Sequence, residues 1–86
     1  MEITARVTHS SLSQEVAVGT GGSFQVLDVP GKPDGAGLAV NGGEFLMLAL
    51  ATCYCNDLYR EARRQGIQLD CVGVEGGAQF TGVGLA

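Results

Sequence analysis

Residues 41–66, NGGEFLMLALATCYCNDLYREARRQG, constrain this chain more than any other stretch. They carry a start signal, an apolar first half, an amphipathic second half and a stop signal for one long helix. Asn41 followed three residues later by Glu44 has the spacing of a capping box, in which the Asn oxygen accepts an orphan backbone N–H and the Glu side chain reaches back. Nearly every residue of 45–55 is apolar or small, so this half is apolar all round and requires protein on most of its sides. Beyond it the pattern becomes one-sided. Leu58 and Ala62 continue an inward stripe, while Arg60, Glu61, Arg63, Arg64 and Gln65 face water and place cations near the negative end of the helix dipole. Gly66 supplies the left-handed position that ends a helix. The signals predict a single helix over residues 42–65, about 35 Å long.

The residues before the helix have a different period. Ile3, Ala5 and Val7 alternate with polar neighbours, the signature of a strand over about residues 2–8 with one buried face. A small polar run at 9–13 favours a turn, residues 14–18 resume the β pattern, and Thr20-Gly21-Gly22-Ser23 reads as a hairpin leading to a third strand over 24–29. No Lys-Ser/Thr pair follows these glycines, which argues against a phosphate loop. Residues 30–37 gather both prolines with three glycines into an aperiodic connection to the helix. After the helix, Ile67, Leu69, Cys71, Val72 and Val74 predict a further strand, broken at Gly76-Gly77. Phe80 extends it or pairs with it, and strand signals run on to Leu85. The expected class is α+β, with element order β-β-β-α-β, in a single domain over residues 1–86.

Size then bears on assembly. A chain of 86 residues buries only a modest core unless a staple or a partner assists. The three cysteines are odd in number, there is no C-x-x-C pair, and His9 is the only histidine, so neither a disulfide framework nor a structural zinc site is expected. No cofactor motif is found. The net charge of −4 argues against a nucleic-acid partner. The N-terminus lacks an apolar signal region and the apolar run of the helix is too short for a bilayer, which gives an expectation of a soluble, cytoplasmic protein. One short sheet covers only one side of an all-round apolar helix. The pattern therefore calls for a homodimer.

The residues that bear chemistry lie in mid-helix. Cys53 and Cys55 are two apart, on nearly opposite faces, and should not bridge each other. Cys53 shares its face with Asn56 and Asp57, with Arg60 a turn further on. A buried cysteine is most simply a small hydrophobe. A reactive one needs a cation to favour the thiolate, and the Asp57 carboxylate works against that. Asp57 with Arg60, and Glu61 with Arg64 or Gln65, are spaced as ordinary surface pairs. His9, in a polar turn signal, reads as solvated.

The helix and its approach, NGGEFLMLALATCYCNDLYREARRQGI, resemble the OsmC-like proteins, which include the organic hydroperoxide resistance proteins. In that family an (N/G)-P-E-x-L-(L)-x-A-L-x-x-C pattern opens a long central helix and its cysteine is the peroxide-reactive thiol. The likeness covers residues 41–67, and the strand order around them agrees with it. It implies an OsmC-like α+β fold, an intertwined homodimer whose central helices pack together and whose sheets are shared, and a catalytic role for Cys53. It further implies an organizing role for Glu44, a small hydroperoxide as substrate and a thiol as reductant. Three departures accompany it. Gly42-Gly43 replace the proline, and Glu44 lies one residue nearer the cysteine than in the peroxidases. Arg6 is the only arginine ahead of the helix, so the thiolate's usual cation is missing or displaced. The resolving cysteine belongs to a C-terminal half for which this chain has no equivalent, and Cys71 is not in its place. The chain corresponds to the first half of the family's length.

Two classes of function are consistent with these residues. One is a thiol-dependent hydroperoxide reductase, in which Cys53 becomes a sulfenic acid that another thiol reduces. The other is a non-catalytic OsmC-like dimer in which Cys53 fills a core or lines a small-molecule pocket, and a truncated family member is a variant of it. Reaction of Cys53 with an alkyl hydroperoxide separates them.

Overall fold

The computed structural model describes residues 1–82, with an antiparallel three-stranded sheet and one helix, an α+β arrangement. The chain divides into two compact units, Met1–Val40 and the residues from Asn41 onward.

The first unit is a meander of β1 (Ile3–His9), β2 (Gln14–Thr20) and β3 (Ser23–Leu27), in that spatial order. The turn between β2 and β3 is two residues long, and Gly21 and Gly22 have φ of 57° and 92°. Positive φ at both positions is the requirement of the hairpin turn that matches the strands' right-handed twist, and two glycines meet it without strain. The register sets Val7, Val16 and Leu27 side by side on one face, and Arg6, Ala17 and Val26 on the other. Val16 and Ala17, on the central strand, are buried, whereas Phe24 and Val26 are exposed, and the buried face expected of β1 is not found, because Ile3, Ala5 and Val7 lie on an edge strand and are exposed among the described residues.

Residues 28–40 are more ordered than an aperiodic connection. Gly31 and Leu38 form an isolated antiparallel bridge, the Lys32 N–H donates to the Gly37 carbonyl at 2.8 Å, and the Ala39 N–H donates to the Pro30 carbonyl at 2.9 Å. The segment is a small closed loop.

The second unit is built on α1 (Gly42–Arg64), and both of its ends follow the sequence signals. The Asn41 side chain accepts the Glu44 N–H at 2.8 Å, and the Glu44 carboxylate accepts the Asn41 N–H at 3.0 Å, completing the capping box. At the other end Gly66 has φ of 72°, its N–H donates to the Arg63 carbonyl, and the Ile67 N–H donates to the Ala62 carbonyl at 2.8 Å. These two bonds make a Schellman motif, which satisfies carbonyls the helix leaves free.

The expected strand after the helix is not formed among the described residues. Apart from the Ile67 bond, residues 67–82 make no backbone–backbone hydrogen bonds there. Three of the apolar residues there are nevertheless partly covered. Leu69, Val72 and Val74 are half-buried between exposed neighbours. The segment passes back along α1: Gln68 and Leu69 line a groove with Asn56, Tyr59 and Arg60, while Gly76, Gly77 and Phe80 line another with Asn41, Glu44 and Met47. Ten extended residues span about 33 Å, the length of the helix they follow. Partial cover of apolar side chains does not make a strand, which requires a neighbouring ladder. The strand signals expected as far as Leu85 lie partly outside the described residues.

Candidate functional site

Of the half-buried and buried positions of α1, Gly43, Met47, Ala51, Cys55, Leu58 and Ala62 recur every three or four residues and form one stripe, while Phe45 is half-buried off it. The expected enclosure of the apolar first half is therefore not supplied within the described residues. Leu46 is 53% and Leu50 57% exposed, and Leu48 and Tyr54 are exposed as well. Cys53 is exposed and lies on the same side as Leu46 and Leu50, seven and three residues before it. Asn56 and Asp57 bound this apolar surface toward the helix C-terminus.

The three thiols have different settings. Cys55, on the stripe, is half-buried, whereas Cys53 and Cys71 are exposed, and all three are free. Cys53 and Cys55 do not bridge, as their spacing on a helix dictates.

Glu44 and Cys53 are nine residues apart on one straight helix. At about 100° per residue the two side chains leave opposite faces, separated by about 13 Å of rise. They do not meet within one chain. Glu44 is held by Asn41 as the capping acid, which is the role its spacing from Asn41 predicts.

Three of the four arginines are held by carboxylates. Arg6 pairs with Glu15 across the sheet at 3.5 Å, with both side chains largely exposed. On the helix Arg60 pairs with Asp57, and Arg64 pairs with Glu61 at 2.6 Å. The Arg64 guanidinium, with a further hydrogen bond from Gln65, holds the Glu61 carboxyl below its usual range, and Glu61 in turn raises Arg64. Arg63 has no ion pair among the described residues.

No group of three metal-ligating side chains occurs among the described residues. None of the helices there is long and apolar enough to cross a membrane.

One polar contact escapes sequence reasoning. The His9 ring, which the turn signal placed in solvent, accepts the Gly37 N–H at its Nε2 at 3.3 Å. Its signal is visible only in the register, which puts His9 opposite Gln14 at the end of the β1–β2 ladder. No protein-family model matches the chain, and neither a curated protein nor a solved structure matches it.

Proposed function

We propose that the chain is one subunit of an intertwined, OsmC-like homodimer in which Cys53 is the thiol that reduces an organic hydroperoxide. The observation that carries this reading is the exposure of Cys53 on an apolar helix face, beside Leu46 and Leu50. An apolar surface around a thiol favours an alkyl hydroperoxide over hydrogen peroxide, because the alkyl part gains from leaving water. The Cys53 thiolate attacks the terminal peroxide oxygen and the O–O bond breaks. The alkoxide leaves, takes a proton and departs as the alcohol, and Cys53 is left as a sulfenic acid. A second thiol condenses with it, releasing water and forming a disulfide, and an external dithiol restores the reduced protein.

Assembly is part of this reading. Among the described residues only Val16, Ala17 and Ala62 are buried apolar side chains, and three small residues are no core for a stable domain. Among the described residues the outer strands β1 and β3 have no further neighbour and residues 68–80 form no ladder, the combination that strand exchange between two copies would satisfy. A second copy would also bring a Glu44 and an Arg63 that the geometry of one chain keeps from its own Cys53.

A second reading, a non-catalytic dimer, is favoured by one observation: Arg6, Arg60 and Arg64 are each paired with a carboxylate, so none is free to stabilise a thiolate. Peroxide consumption with a dithiol reductant separates the two. The enzymatic reading expects turnover of an alkyl hydroperoxide that Cys53→Ser abolishes and Cys71→Ser leaves in place. Equal, slow consumption by wild type and Cys53→Ser would leave only the dimer.

A further inference from the structure

His9 and Gln14 are the last directly opposed pair of the β1–β2 ladder, so their side chains leave the same face of the sheet. Both turn to the loop of residues 29–38. The Gln14 amide donates to the Val29 carbonyl at 3.4 Å, and its Oε1 lies where a Cβ on Gly31 would come within 3.0 Å. The Gly37 N–H donates to His9 Nε2 at 3.3 Å, while the Gly37 carbonyl accepts the Lys32 N–H that closes the loop. Gly37 has φ of 101°, so its peptide is fixed in a conformation that few other residues adopt. One end of the sheet thus grips the loop through two side chains, and one of these is an imidazole acting as an acceptor.

An imidazole nitrogen accepts a hydrogen bond only when it carries no proton, so this contact fixes the tautomer with hydrogen on Nδ1. In the imidazolium both nitrogens are donors, and Nε2–H would then face the Gly37 N–H. We propose that His9 is a pH-sensitive latch that holds the loop of residues 29–38 to the sheet when neutral and releases it when protonated. Histidine is the side chain whose charge ordinarily changes between about pH 5 and 8. The strand residues sharing its face, Ile3, Ala5, Val7, Gln14, Val16 and Val18 among them, bear no charge that would compensate the cation. Arg6 and Glu15 leave the opposite face and pair there. In the loop, Asp34 is engaged by the Ala36 N–H at 2.9 Å, and Lys32 is a like charge to the imidazolium. The loop belongs to the first unit and precedes Asn41, the cap of α1, in the chain.

The test is nuclear magnetic resonance on the full chain between pH 7.5 and 5. It follows the His9 ring nitrogens and the rate at which the Gly37 amide exchanges with water, corrected for the intrinsic pH dependence of exchange. Protonation of the ring should raise the corrected Gly37 rate about five-fold, the factor one net hydrogen bond supplies. In His9→Gln, whose Oε1 accepts at any pH, the corrected rate should not change. A ring that titrates in the wild type while the Gly37 rate stays constant would overturn the latch, as would an equal pH response in wild type and His9→Gln. The ring tautomer at pH 7.5 is an independent check that needs no variant: hydrogen on Nε2 would also overturn it.

Discussion

The ring of Phe24 lies over the backbone of Gly19, its directly opposed partner across β2 and β3. A Cβ added at Gly19 would come within 2.6 Å of Phe24 Cδ1 and within 3.1 Å of the Ser23 carbonyl oxygen. The glycine is therefore the space into which the aromatic ring folds, and the ring in turn shields a stretch of strand that has no side chain of its own. Gly19→Ala should displace the ring and destabilise the sheet by about 1 kcal/mol, the low end of overpacking because the ring has room to swing outward. Phe24→Ala should remove most of that penalty. Urea unfolding of the two single variants and the double variant measures the coupling, and strictly additive costs would show that the ring and the glycine are independent.

The capping box gives a second expectation. Asn41→Ala leaves the Glu44 N–H without its acceptor and should cost about 1 kcal/mol. Glu44→Gln retains a group able to bond the Asn41 N–H and should cost less than half of that. Helix content by circular dichroism during denaturation reads both. If Glu44→Gln instead leaves the helix intact and abolishes peroxide turnover, the carboxylate has a chemical role besides its cap.

At the other end, Gly66→Ala forces a Cβ into φ of 72° and should cost about 1 kcal/mol. Loss of amide protection at Gly66 and Ile67, the two donors of the Schellman motif, is the local signature. Unchanged protection would show that the terminal bonds do not depend on the glycine.

The last turn also carries a pH dependence of known sign. Arg64 first, and Gln65 second, hold the Glu61 carboxyl below its ordinary value in the folded chain. A carboxylate depressed by folding stabilises the folded form above its unfolded pKa, and that stabilisation is lost as the pH falls through the folded value. The Glu61 side chain is exposed to solvent, so the effect is small and screened by salt. Fraying of residues 61–65 should increase on acidification in the wild type and lose that dependence in Glu61→Gln, as carbonyl chemical shifts would record.

How far the sequence discloses this structure varies with the range of the interactions involved. The helix was legible at both ends because caps are local: Asn41 and Glu44 three apart, and Gly66 after three arginines, fix the termini without reference to the rest of the chain. The surface pairs Asp57–Arg60 and Glu61–Arg64 were legible for the same reason. The apolar residues of 67–74 suggest a strand that is not formed among the described residues, because a ladder depends on a neighbour that no local pattern specifies. His9 is exposed, as its polar turn signal suggests, but its bond to Gly37 was not legible because that partner is 28 residues away. For the candidate site, the sequence placed Cys53 and Cys55 on opposing faces, and the structure adds that Cys53 is on the uncovered one. The enclosure expected for residues 45–55 is not supplied by the described residues, where Leu46, Leu48 and Leu50 are exposed.

The uncovered face provides its own test of assembly. Leu50→Asp would introduce a charge into the surface proposed to meet a second copy and should weaken the dimer by at least tenfold, as buried unpaired charges do. Sedimentation across micromolar concentrations gives the constant. A wild type that sediments as a monomer throughout would mean that this chain covers the face itself.

The most direct test of the central claim is site-resolved mass spectrometry of the reduced wild-type protein after substoichiometric treatment with an alkyl hydroperoxide at neutral pH. The account predicts that Cys53 gains one oxygen, or enters a disulfide, well before Cys55 and Cys71 are modified. Cys71 is the informative control, because it is equally an exposed thiol but lies off the apolar helix face. Oxidation of Cys53 no faster than Cys71 would contradict the assignment of Cys53 as the peroxide-reducing thiol.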